Sequence, residues 1–204
     1  MTTTKGKMQN SFSCLFLATP AYTFAPRTNT KHIMEKSKLN EGMLAIQLEE
    51  EAWKELSGDI AWTESMLERY KDKVDWEAVC NNSYVHWNVA MLEKFRRQID
   101  WTALSNTNQV SLLTPEIVGQ FKTCWDWTVL SSNDELPLET IEAMADYINW
   151  KELVNRYDRH DIFGSAFLSR FAEYIPASAL KGSRLWHALV AEKEKELQKN
   201  FANI

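Results

Sequence analysis

The densest group of side chains able to move a proton or hold a metal is the run Arg156-Tyr157-Asp158-Arg159-His160-Asp161. A histidine beside carboxylates can serve as a general base or as a metal ligand. His160 has no second His or Cys at ligand spacing, so the run reads first as a solvated loop. Asp75, Asp100 and Asp126 offer carboxylates for acid–base work, and each stands directly before a tryptophan. Those tryptophans suggest a ladder for stacking a ligand. Against these readings, the chain has no phosphate-cradling glycine loop, no zinc spacing and no nucleophile motif. Its six glycines allow few tight catalytic turns.

The elements that position these residues follow from a recurrence. Trp53, Trp76, Trp101, Trp127 and Trp150 are separated by 23, 25, 26 and 23 residues. A period in this range marks a repeat array. Three residues past each Trp is an aliphatic: Leu56, Val79, Leu104, Leu130, Leu153. A stretch of variable length leads to a large apolar residue (Trp62, Trp87, Leu113, Leu136, Phe163), and apolar residues recur four, five, eight and twelve places beyond it. Such spacings line one helical face, whereas strands would alternate. Each period therefore predicts two short helices.

The ends of those helices are marked. Asp75, Asp100, Asp126 and Asn149 suit the N-cap, where a side-chain oxygen accepts from free backbone N–H groups. Thr63, Asn88 and Thr114 suit the N-cap of the second helix, and Pro137 and Gly164 hold the same place. Val74/Val79, Ile99/Leu104, Trp125/Leu130 and Ile148/Leu153 have the spacing of hydrophobic staples, and Asn149/Glu152 that of a capping box. Gly58, Asn81, Asn106, Ser132, Asn155 and Gly182 are read as C-caps in the left-handed conformation. Under this reading the indoles are buried wedges between neighbouring hairpins.

Residues 39–204 are thus expected to form one all-α domain, an α-solenoid of about six helical hairpins of roughly 24 residues each, with polar terminal caps. At the C-terminal end Trp186 is placed as the large apolar residue, with Glu194 and Gln198 where inner periods are apolar. Residues 1–38 hold six basic residues and a single acid, Glu35. This segment is expected to be a leader (secretory or organellar) or an over-extended start, outside the fold. The rest of the chain is acidic, which argues against binding a phosphate backbone. No stretch reaches the roughly 20 apolar residues of a membrane span. Three cysteines, Cys14, Cys80 and Cys124, do not make a disulfide framework, which fits a reducing, cytoplasmic location.

The pattern of an aliphatic, Asp-Trp, then an aliphatic three residues on, with an aromatic four before the first, resembles uncharacterised tandem helical-repeat proteins of bacteria, phages and large DNA viruses. The resemblance covers about residues 39–190, with Ala52, Asn149 and Pro176-Ala177 departing from the motif. It implies a helical-repeat fold and supplies no activity. The function expected is a non-catalytic scaffold for another protein, with no cofactor and no metal. Its contact residues are sought in the variable stretches, among Asn82, Ser83 and Tyr84, among Thr107, Asn108 and Gln109, and from Arg156 through Asp158 and His160 to Asp161. The alternative is an enzyme or effector with its site in the loop around His160.

Overall fold

The computed structural model describes the backbone of residues 30–202 and the side chains of residues 40–201. The expected leader, residues 1–38, lies outside the described side chains. The chain divides into two compact units, Met1–Met43 and Leu44–Ile204. Among the described residues there are twelve α-helices, one 3-10 turn (Val110–Leu112) and no strand. The helices are α1 (Thr30–Asp59), α2 (Glu64–Tyr70), α3 (Trp76–Asn81), α4 (Val89–Lys94), α5 (Trp101–Ser105) and α6 (Pro115–Gln120). They continue as α7 (Trp127–Ser132), α8 (Leu138–Ala143), α9 (Trp150–Leu153), α10 (Ser165–Phe171), α11 (Ala177–Leu180) and α12 (Arg184–Ala202). The described residues are all-α.

The helices start where the caps require. The carboxylate of Asp75 accepts from the Ala78 amide at 2.8 Å, Asp100 from Ala103 at 3.0 Å and Asp126 from Thr128 and Val129 at 3.0 and 3.2 Å. Thr63, Asn88 and Thr114 cap α2, α4 and α6 in the same way. The staple residues are buried on both sides of each cap: Val79, Leu104, Leu130 and Leu153 are 0% exposed. Truncating one such leucine to alanine typically costs about 2–5 kcal/mol. Where Ala52 stands in place of the capping Asp, no break occurs and α1 runs straight through Trp53. The run Glu49-Glu50-Glu51-Ala52 is made of good helix formers, and nothing in it terminates the backbone ladder.

Three expectations about helix ends are corrected. Of the expected left-handed caps only Gly182 (φ 84), after α11, lies in that region; among the described residues the other is Asp161 (φ 50), so Gly58, Asn81, Asn106, Ser132 and Asn155 do not end helices in this way. The last turns instead tighten to three-residue bonds, as from the Asn82 amide to the Val79 carbonyl and from Asn133 to Leu130. The Asn149/Glu152 capping box is half made: the Glu152 amide reaches Asn149 Oδ1, but the Asn149 amide goes to Ser131 Oγ at 2.8 Å. At the C-terminal end the register moves by one, because Ser183 caps α12 through the Trp186 amide. Leu185 is then fully buried and Trp186 is 37% exposed.

The first helices of successive periods lie side by side: α3 packs on α5, α5 on α7, α7 on α9 and α9 on α11. A recurring hydrogen bond holds them. Ser57, Ser105 and Ser131 stand four residues after a Trp and are 0% exposed. Each hydroxyl donates to that Trp carbonyl at 2.6 Å and accepts the amide of the next period's cap residue, Asp75, Asp126 or Asn149, at 2.8–3.0 Å. Cys80 occupies the same place, four residues after Trp76 and before the cap residue Asp100. In the final step the partners vanish together: Val154 has no acceptor and Pro176 no amide hydrogen.

The indoles sit between these rows, but they are not fully buried. Trp150 is 7% exposed, while Trp53, Trp76, Trp101 and Trp127 are half-buried. Each Nε1 of Trp76, Trp101, Trp127 and Trp150 donates 2.9–3.0 Å to the carbonyl five residues earlier, closing the turn after the preceding helix. The ring then meets an aromatic of the following period: Trp76 on Phe95 at 5.4 Å, Trp101 on Phe121 at 5.5 Å, Trp150 on Phe171 at 5.1 Å. For Trp127 the column residue is Met144, and Tyr147 supplies the ring at 5.2 Å. An amphipathic ring with a bonded N–H at one edge settles at such a boundary.

Burial pushes the Cys80 thiol up from 9.0 to about 12. The unfolded thiol ionises first as pH rises, so stability from this group is intact below pH 9 and lost progressively up to about 12. Cys80→Ser should remove that alkaline loss and shift stability at neutral pH by less than about 1 kcal/mol, because serine is the residue used at the equivalent places. Ser105→Ala should cost about 1–3 kcal/mol by stranding the Asp126 amide. Urea titrations at pH 7 and pH 10 check both.

Candidate functional site

The variable connections are where contact residues were sought, and their backbones are held by buried side chains reaching one period back. Asn82 is 4% exposed and donates to the Ser57 and Ile60 carbonyls at 2.9 and 2.8 Å, while its Oδ1 accepts from Tyr84. Asn133, also 4% exposed, repeats this with the Ser105 and Thr107 carbonyls and the Glu135 amide. Gln109 bonds the Val85 carbonyl and the Trp87 amide at 2.7 and 3.1 Å. Arg156 closes the series, donating to the Asn133 and Leu136 carbonyls at 2.6 and 3.2 Å.

Arg156 is therefore removed from the set of expected contact residues. It is 4% exposed, and burial pulls its guanidinium down to about 10 against the opposing pull of Asp158 and Asp134. Asn82 and Thr107 are likewise buried and structural. These positions all lie six residues after a Trp, at 82, 107, 133 and 156. That fixed offset could have shown that the connections become variable only beyond it.

The remaining candidates divide. Tyr84 is 62% exposed, and Asn108 is exposed beside a polar notch formed with Asn81, Ser83, Asn106 and Gln109. Asp158 is half-buried, and its two oxygens accept from the Ile162 and Phe163 amides at 2.9 and 2.7 Å. It shapes the loop. Asp161 follows in the left-handed region, which Asp tolerates better than most residues. His160 is exposed, with its Nε2 4.0 Å from Glu135 Oε2, and Arg159 pairs with Glu135 and Asp134. The structure brings His160 to Glu135 and to the wall of an open groove of about 360 Å³ with Val110, Leu138 and Ile162. It brings neither Asp158 nor Asp161 to His160 as an acid–base partner within hydrogen-bond reach.

One surface residue was not foreseen: Val110 is 46% exposed on the 3-10 turn. Tyr157, inside the expected run from Arg156 to Asp161, is 61% exposed with the Arg184 guanidinium 5.8 Å above its ring. Like Tyr84, they are apolar or aromatic residues outside the recurring apolar positions, which was the available signal. Arg96, exposed on the turn after α4, donates to Cys124 Sγ at 3.1 Å and to Thr123 at 3.3 Å. Among the described residues no group of three His, Cys, Asp or Glu could hold a metal ion, and no helix is long and apolar enough to cross a membrane.

Arg156→Ala should cost roughly 2–4 kcal/mol by stranding two buried carbonyls. Tyr84→Ala and Asn108→Ala should stay within about 0.5 kcal/mol of the parent. Chemical denaturation of the three variants checks the separation of clamp from surface.

Comparison of the chain with protein-family models, with curated proteins and with solved structures gave no match in any of the three.

Proposed function

We propose that the described helices form a solenoid of about six helical hairpins and that the protein is a non-catalytic scaffold binding another protein along the edge formed by its connections. The side-by-side packing of α3, α5, α7, α9 and α11 supports the stacked architecture, and the recurring bonds accord with the tandem-repeat motif the sequence carries. One observation carries the binding reading. Tyr84, Val110 and Tyr157 are large, exposed and off the core pattern, and they sit on connections immobilised by Asn82, Gln109 and Arg156. Aromatic residues held in place lose little entropy on binding, which is how a rigid surface gains affinity.

An acidic chain suits a protein partner better than nucleic acid. Free thiols at Cys80 and Cys124 fit a reducing, cytoplasmic location. The enzyme reading has less behind it: His160 is exposed, its nearest acid is Glu135 at 4.0 Å, and both Asp158 oxygens are engaged with backbone amides.

The test is affinity capture from the native host with the parent chain and with the triple variant Tyr84→Ser, Val110→Ser, Tyr157→Ser. A partner identified by mass spectrometry with the parent should fall at least about tenfold with the variant, at unchanged helicity and melting. Equal recovery would place the contact surface elsewhere.

A further inference from the structure

We propose that α12 joins two copies of this chain, the two helices running parallel along an apolar stripe that faces away from the rest of the fold. One face of α12 is docked: Leu185 is 0% exposed, Ala188 and Leu189 pack on the core, and Glu192 accepts the Ser165 amide at 2.9 Å. The other face carries Trp186, Val190, Leu197 and Phe201, which are 37, 39, 43 and 71% exposed. At 3.6 residues per turn these four fall within an arc of about 60°, whose centre lies about 140° from that of the docked residues. From Ala191 to Phe201 every residue is exposed, so the distal half of this 19-residue helix has no packing of its own. A helix so placed is marginal in water without a partner for its apolar face.

Charge chooses the partner and the direction. Lys193 and Glu194 flank the stripe on opposite sides, and the Lys193–Glu196 pair at 2.8 Å is solvent-exposed and free to exchange. In a parallel two-fold pair each stripe residue meets its own counterpart, and Lys193 faces Glu194 of the second copy, twice by symmetry. An antiparallel pair would set Lys193 against Lys193 and Glu194 against Glu194. The self-complementary occupant is a second copy in parallel. The stripe offers only a few hundred Å² of apolar surface per copy, at the lower end of what a specific interface needs, so a dissociation constant in the micromolar range is expected.

Sedimentation equilibrium of the full chain should show a reversible monomer–dimer equilibrium. Leu197→Glu, at a position outside the folded core, should weaken it at least about tenfold with unchanged melting. Lys193→Glu and Glu194→Lys should each weaken self-association about tenfold, and an equimolar mixture of the two should regain it as a heterodimer. A parent chain monomeric at about 1 mM, a dimer indifferent to Leu197→Glu, or a Lys193→Glu chain associating as tightly as the parent would overturn the proposal.

Discussion

Each helix that opens on a tryptophan begins with a backbone amide that its own turn cannot satisfy, the N–H of the cap residue itself. Burying that group unpaired would cost about 1–3 kcal/mol at every step. Before α3, α7 and α9 the chain meets the demand from the period before, with a serine hydroxyl four residues past the previous Trp. One small side chain thereby ends one helix and starts the next, and its two bonds fix the spacing between neighbours. The half-buried indoles follow from the same geometry. With the rows held at that distance, each ring spans the gap from the turn behind it to the aromatic ahead.

The connections between helices are irregular in sequence and length, yet they are not loose. Their carbonyls, which regular structure would have paired, are taken by Asn82, Asn133 and Arg156. Side-chain amides and guanidinium groups do here what a sheet does elsewhere. The result is a set of connections varied in sequence but held on a stiff support.

Much of this was legible in the sequence. Asp75, Asp100, Asp126 and Asn88 announced helix starts because few residue types can cap, and the paired aliphatics around them confirmed the frame. Ser57, Ser105 and Ser131 were just as regular but passed unread, since a serine among apolar neighbours looks like a surface residue unless its offset from Trp is followed. Arg156 misled for the opposite reason: a charged residue in a long connection is usually solvated, and only its register with Asn82 and Asn133 betrays burial. The left-handed caps held at Gly182 and failed at Asn81, Asn106 and Asn155, because a helix can also end on a tightened three-residue bond that needs no left-handed residue. The surface residues Tyr84, Val110 and Tyr157 follow no register, and that irregularity is what sets them apart from the clamps at the sixth place after each Trp.

The last step of the seam, where Val154 meets Pro176, shows what such reciprocity permits. Donor and acceptor are both missing there, and α9 still packs on α11. A hydroxyl restored to one side would find nobody to answer it, and an amide restored to the other would be equally alone. Drift at this joint is tolerated only in matched couples, so substitutions that look harmless singly have to be judged two at a time.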